Sequence, residues 1–328
     1  MSHHMDSDKT VLVSTPMFGR YSEASKQLLR DYGCEFVELS RDEAADRDVL
    51  FDHLEDVNAW IVGYTEIDEA VFDRAPDLEI IAKHGTGVDN IDLDVAEERD
   101  VVVANAPGAN ANGVAELVVL HMLNYYRDLV AGDATVRDRQ WGGDIGRELA
   151  EKTIGIIGLG EIGQTVVKRT QGFDLTYLSH DMADRSAFEE EYGVEDVAGL
   201  DDLLSRSDFV TVHLPLTEGT RGLIGESELE AMNSDACIIN TARGGIVDEA
   251  ALADALAADE IGGAALDVLE SEPPSSGEPY DTLLSDDRVT FTPHIGGKTE
   301  EAMGEISSLT ARNIRNVFEG DEPVHRVR

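Results

Sequence analysis

A chain of 328 residues has room for two domains of about 100–200 residues each. Its 42% of hydrophobic residues can build sizeable cores, mostly from Val, Leu, Ile and Ala because aromatics are only 6%. A formal net charge of −41, from 67 acidic against 26 basic residues, repels polyanions and argues against nucleic-acid or anionic-membrane partners.

Short apolar runs alternate with amphipathic segments, the pattern of an α/β fold with parallel sheets. Residues 1–5 read as a tail outside the fold, with no basic-then-apolar leader and no run of about 18 apolar residues. Strands are predicted at 11–13, 35–39, 59–62, 79–82 and 101–104, with a helix at 22–32 ended by Gly33. Around Asn105-Ala106-Pro107-Gly108 the rhythm changes, and long helices follow at 112–126 and 129–139. A second strand series occupies 153–157, 173–179, 209–213, 237–240, 263–266 and 289–292. The last helix, 300–319, is expected to pack back on the first unit. This places hinges near Asn105 and Gly296 and predicts two domains, residues 1–104 with 297–328, and residues 105–296.

The acids are spread through amphipathic segments such as Asp42-Glu43-Ala44-Ala45-Asp46-Arg47-Asp48, not gathered in a disordered tail. Lysines are few: Lys9, Lys26, Lys83, Lys152, Lys168 and Lys298. Such a surface resembles that of proteins of salt-accumulating, halophilic archaea, where ions screen the self-repulsion; the other reading is an ordinary acidic cytosolic protein, which rarely goes with so few lysines. Cys34 and Cys237 lie far apart with no metal-type spacing. Two free thiols in a reducing cytoplasm, and no metal, are expected.

Gly158-Leu159-Gly160-Glu161-Ile162-Gly163 fits G-x-G-x-x-G, a weak signal alone. Here an apolar strand precedes it, a helix is predicted over 164–171, and a second strand ends at Asp181, close to the expected spacing of about 20 residues. Gly158 allows the tight turn, Gly160 lets backbone N–H groups approach a pyrophosphate, and Gly163 brings helix and strand together. The pyrophosphate then meets the helix N-terminus. Asp181 can accept hydrogen bonds from ribose hydroxyls and repels a 2′-phosphate, so NAD is predicted over NADP; Arg185 nearby is the one group able to turn to such a phosphate.

Three further residues follow predicted strand ends, where open α/β sheets place their ligands: Arg243, Glu272 and His294. Carbonyl reduction needs a proton at the oxygen, which a histidine can supply near neutral pH. A carboxylate beside a histidine favours the imidazolium and orients it. A guanidinium grips a 2-oxo acid bidentately. Each residue also has an ordinary reading: a structural histidine, loop acids at Glu270 or Glu272, an arginine in an ion pair. The shared topological position favours a site.

With these motifs the sequence resembles the D-isomer-specific 2-hydroxyacid dehydrogenases, within them the phosphoglycerate dehydrogenase-like branch. Besides the glycine fingerprint, the resemblance rests on 85–92 (Gly-Thr-Gly-Val-Asp-Asn-Ile-Asp), 105–110, 113–116, 242–249, 265–268, Glu272-Pro273-Pro274 and 293–297. It implies two doubly wound parallel-sheet domains, a flavodoxin-like substrate domain and a Rossmann NAD-binding domain, with a cleft between them, and a homodimer formed through the helices after Asn112. It implies His294 as acid/base, Glu272 as its partner and Arg243 as substrate anchor, with the amides of Thr86 and Gly87 on the substrate carboxylate. Asp267 is implied at the nicotinamide carboxamide, and Glu161, Ile162, Pro215, Thr241, Ala242, Gly296 and Gly297 around the cofactor. The expected reaction interconverts a small 2-oxo acid and its D-2-hydroxy acid, glyoxylate/hydroxypyruvate or 3-phosphoglycerate/3-phosphohydroxypyruvate among them. Family arginines that bind a substrate phosphate are replaced here by Gly63 or Tyr64 and by Lys83, and the chain leaves no room for a C-terminal regulatory domain. Glu272 argues against the formate dehydrogenase branch. The alternative is a non-catalytic NAD-sensing interaction protein on the same fold, like the C-terminal-binding corepressors, which keep the catalytic trio; a phosphite dehydrogenase is less favoured.

Overall fold

A computed structural model describes residues 9–327; the expected tail at 1–5 lies outside them. The chain divides into two compact units, one up to Asn110 and again from Lys298, the other from Ala111 to Gly297.

In the first unit, β1 (Lys9–Val13), β2 (Cys34–Glu38), β3 (Ala59–Val62), β4 (Ile80–Lys83) and β5 (Val102–Ala104) form one sheet in the order β2-β1-β3-β4-β5. All its pairings are parallel, and the strand order is that of flavodoxin-like sheets. Parallel strands are covered on both faces, so they read as continuous apolar runs. Val11, Val13, Ile61 and Ile80 pack with Leu29, Ala311 and Ile314 on one side. Leu12, Trp60, Val62 and Ile81 pack with Leu50, Val71 and Ala96 on the other. The terminal helix Glu300–Phe318 docks on this sheet, as the sequence pattern predicts. Buried His84 at the end of β4 lies 2.9 Å from Ser307 Oγ, and Tyr32 Oη donates to Phe318 O at 2.9 Å.

The second unit opens with the helix Ala111–Arg127, which turns Val118, Met122 and Tyr126 into a core with Ile154, Ile156 and Phe209. Its sheet comprises β6 (Thr153–Ile157), β7 (Thr176–His180), β8 (Val194–Asp196), β9 (Phe209–Val212), β10 (Cys237–Asn240), β11 (Gly263–Leu266) and β12 (Val289–Phe291). The order is β12-β11-β10-β9-β6-β7-β8. It reverses direction between β6 and β9, a Rossmann switch point.

Three local readings change. The fingerprint helix is Glu161–Thr170, starting earlier than the predicted 164 because the chain already turns helical after Gly160. The strand predicted from Phe173 starts at Thr176, because residues 171–173 form a 3₁₀ turn and Asp174 takes φ +55°. β8, Val-Glu-Asp, is an edge strand with two exposed charges and therefore shows no apolar run. No helix among the described residues is long and apolar enough to cross a membrane. Cys34 and Cys237 are both buried and free.

Candidate active site

The register of the second sheet assembles the site. Ile157 pairs with His180 and Val212, Val212 with Asn240, Asn240 with Leu266, and Leu266 with Phe291. The next residue on each strand therefore falls on one row along the C-terminal edge: Asp181, Gly158, His213, Thr241, Asp267 and Thr292. Sequence reading had singled out all of these except His213 and Thr292. His213 follows a strand just as Thr241 does, which was the available signal.

The glycine loop fits a dinucleotide. Gly158 takes φ +92°, and a Cβ there would lie 2.7 Å from His213 O, so turn and close approach both demand glycine. A Cβ on Gly163 would lie 2.4 Å from Gly158 O, which is how the helix comes down onto the loop. Around Gly160, in contrast, nothing among the described residues lies within 4 Å of a built Cβ, and as N-cap it puts no side chain on the helix N–H groups. That leaves an open cradle for an anion at the positive end of a ten-residue helix. On the same row the buried Thr241 Oγ1 and His213 Nδ1 have no hydrogen-bond partner among the described residues. Such groups are ordinarily satisfied, so a polar ligand along this edge is what the residues present would suit. Burial pushes the His213 imidazole down to about 3, which keeps it neutral. Pro215 and half-buried Ile162 flank the same loops, and Ala242 N donates to Asn240 Oδ1 at 3.1 Å.

Asp181 does more than the sequence suggested. Its Oδ2 accepts Leu159 N at 2.7 Å and its Oδ1 accepts Ala183 N at 2.8 Å, so it ties the glycine loop to the end of β7. Arg185 Nε stands 3.5 Å from the same carboxylate, so in this structure it pairs with Asp181.

His294 Nδ1 lies 2.8 Å from Glu272 Oε2, both side chains about one-third exposed at 32% and 38%. Glu272 Oε1 also accepts Leu269 N at 3.2 Å. The histidine takes the left-handed conformation, φ +52°, and its N–H donates to Asp267 O at 2.8 Å and to Thr292 O at 2.9 Å. Buried Asp267 organises the loop around it, accepting Thr292 Oγ1 at 2.6 Å, Ile295 N at 2.8 Å and Gly296 N at 2.8 Å. Three of the roughly four acceptor positions of this carboxylate are thus used within the chain, leaving about one for a ligand. Gly297 closes the loop. Arg243, on the turn after β10, donates from Nη1 to Ala242 O at 2.7 Å, while its own carbonyl accepts Asn240 Nδ2 at 2.8 Å. Glu270 does not join His294; it pairs with Arg221 at 2.6 Å. In the first unit, Thr86 and Gly87 occupy the loop after β4, where Thr86 O accepts Asn105 Nδ2 at 2.7 Å.

Residues 119–296 match the model of the D-isomer specific 2-hydroxyacid dehydrogenase family, NAD binding domain. The chain belongs to the D-isomer specific 2-hydroxyacid dehydrogenase family. Its second unit is the NAD-binding domain of that family, and NAD is its cofactor. A D-3-phosphoglycerate dehydrogenase of Methanocaldococcus jannaschii is 39% identical over 84% of this chain and 52% of its own length; the chain thus spans about half of that relative. A glyoxylate reductase of Thermococcus litoralis is 37% identical over 89% of this chain and 90% of that protein. Among solved structures, D-lactate dehydrogenase from Aquifex aeolicus, complexed with NAD and lactic acid, superposes with a TM-score of 0.85 at 26% identity, covering 97% of this chain and 99% of that one.

Proposed function

We propose that this member of the family interconverts a small 2-oxo acid and its D-2-hydroxy acid. The observation that carries the reading is the 2.8 Å contact between Glu272 Oε2 and His294 Nδ1 at the edge of an NAD-binding sheet. The cofactor, when bound, would supply the hydride as NADH or take it as NAD⁺; Gly158, Gly160, Gly163, Asp181 and Thr241 would hold it. With Nδ1 held by Glu272, Nε2 is the ring nitrogen that gives a proton to the carbonyl oxygen in reduction and takes it back from the hydroxyl in oxidation. Arg243 grips the acid.

Glyoxylate and hydroxypyruvate are favoured over 3-phosphohydroxypyruvate. Lys83, in place of a phosphate-binding arginine, donates to Gly63 O and to Asn90 Oδ1, both at 2.5 Å, and so is engaged within its own unit. NADH oxidation in molar KCl, measured against all three acids, tests this. Turnover is expected to be fastest with the two small acids. Tight NADH binding without turnover of any acid would overturn the reading.

Cofactor choice rests on the Asp181 charge. Because Asp181 also holds Leu159 N, removing its side chain would disturb the loop for either cofactor. Asp181→Asn keeps an acceptor and removes the charge. The ratio of NADPH to NADH affinity should rise about tenfold, roughly 1.4 kcal/mol; an unchanged ratio takes the discrimination away from Asp181.

The chain works as a homodimer in a salt-rich cytoplasm on this reading. Leu120, Leu123, Leu129 and Val130 are exposed, and so are Trp141 at 92% and Ile145 at 100% in the segment that follows. An apolar surface of this extent is unusual on so acidic a chain and suits a second copy. Light scattering in molar KCl should return twice the chain mass, and Leu129→Asp with Val130→Asp should halve it. A monomer in the unmodified protein would remove the dimer from the proposal.

A further inference from the structure

Glu272 is carried by a loop, residues 269–272, whose backbone is held by three separate acceptors. Leu269 N donates to Glu272 Oε1 at 3.2 Å, Glu270 N to Glu249 Oε1 at 2.7 Å, and Ser271 N to Tyr280 Oη at 3.0 Å. Two of the acceptors come from outside the loop, and both side chains are buried, Glu249 at 7% exposure and Tyr280 at 6%.

The place of Glu249 is unusual for its type. It is the first residue of the helix Glu249–Ala257, which Asp248 already caps through Ala250 N and Ala251 N, both at 3.0 Å. An acid there ordinarily points to solvent and interacts favourably with the helix dipole. Glu249 is instead turned inward. Burial, then the neighbouring charges of Glu270 and Asp248, push its carboxyl up, while the Tyr280 hydroxyl and Glu270 N–H oppose that shift. A buried carboxylate is costly unless its hydrogen bonds are satisfied, and here one comes from the loop that bears Glu272 and the other from Tyr280, which itself holds that loop.

The same loop is gripped from its other side. A Cβ on Gly244 would lie 2.1 Å from Leu269 C and 2.3 Å from Glu270 N, so the turn carrying Arg243 rests directly on the Leu269–Glu270 peptide. The carboxylate that meets His294 and the arginine turn therefore share one peptide as a common support.

We propose that Glu249, assisted by Tyr280, is the positioning residue for Glu272. Its carboxylate fixes Glu270 N–H, so that the side chain two residues on reaches His294 Nδ1 while Glu270 itself turns away to Arg221. The proposal rests on the reading of Glu272 and His294 as the proton-transfer pair. Misplacing a catalytic group by about 1 Å can cost on the order of 10²-fold, which sets the size of the effect.

The test compares Glu249→Ala, Glu249→Gln, Glu272→Gln and the double variant Glu249→Ala/Glu272→Gln, all in molar KCl, by kcat, by KM and by NADH affinity. Glu249→Ala should lower kcat about 10- to 100-fold with NADH affinity unchanged. Glu249→Gln, whose amide oxygen still accepts Glu270 N–H, should recover kcat to within about threefold. The double variant should be no slower than Glu272→Gln alone, because the two residues act through one contact. Full kcat in Glu249→Ala, no recovery with Gln, or losses that multiply in the double variant each overturn the proposal. If Glu249→Ala does not fold, Tyr280→Phe removes only the hydroxyl that accepts Ser271 N–H, and its loss must likewise vanish in the Glu272→Gln background. A Glu272→Gln enzyme with full kcat sinks instead the underlying reading of the pair.

Discussion

Replacing His294 with Ala should lower kcat for 2-oxo acid reduction by about 10²–10⁴-fold, the usual contribution of one positioned proton donor. NADH affinity should stay within about twofold of the unmodified protein, because the glycine loop and Asp181 belong to other strands of the sheet. The size of the loss follows from how much structure is committed to this ring. The backbone at 294 takes φ +52°, a conformation that costs a non-glycine residue on the order of 1 kcal/mol. It is held there by bonds from its N–H to Asp267 O and Thr292 O, at 2.8 and 2.9 Å, while Asp267 clamps the two N–H groups that follow. Steady-state kinetics with glyoxylate, alongside NADH titration by fluorescence, makes the measurement. Turnover retained within about twofold would remove His294 from the mechanism and leave the Glu272 contact as a structural ion pair.

Stability should rise steeply with salt. A net charge of −41 creates repulsion that folding concentrates, and the ion pairs that could offset it are mostly exposed. Arg30–Glu23, Arg99–Asp73 and Arg206–Glu195 each keep both side chains at least 39% accessible, where such pairs contribute about 0–1 kcal/mol. The Debye length falls from about 10 Å at 0.1 M salt to about 3 Å at 1 M, so long-range repulsion among scattered carboxylates disappears while contact pairs persist in part. If screening returns about 4 kcal/mol, the melting midpoint rises by on the order of 10 °C between dilute buffer and molar KCl. Scanning calorimetry at fixed pH reads this directly. A midpoint that stays level or falls would mean that repulsion is not what limits this fold, and the salt-adapted reading would go with it.

The parallel sheets could be anticipated because they follow from local rules. Apolar runs of four or five residues such as Ala59–Val62 and Cys237–Asn240 are strands buried on both faces, and the helices between them force parallel connections. The fingerprint glycines were legible for a related reason: positive φ at Gly158 and contact at Gly163 are backbone requirements that only one residue type meets. Edge strand Val194–Asp196 escaped because its burden is pairing and not burial. His213 had only its place after a strand to mark it and Thr292 no more than that; register is what puts them level with Asp267 and Thr241.

The two acids Glu270 and Glu272 show where sequence ends. Both follow β11 in the same short loop, and residue type and spacing alone leave either able to serve a histidine. By itself the sequence determined that a carboxylate, an arginine and a histidine would stand at neighbouring strand ends beyond a dinucleotide loop, because strand periodicity and turn chemistry are local. Only the tertiary structure decided which acid reaches the ring: Glu272 at 2.8 Å from His294, Glu270 at 2.6 Å from Arg221. That choice depends on Glu249 and Gly244 meeting the Leu269–Glu270 peptide and Tyr280 the next one, contacts between different elements that no local pattern encodes.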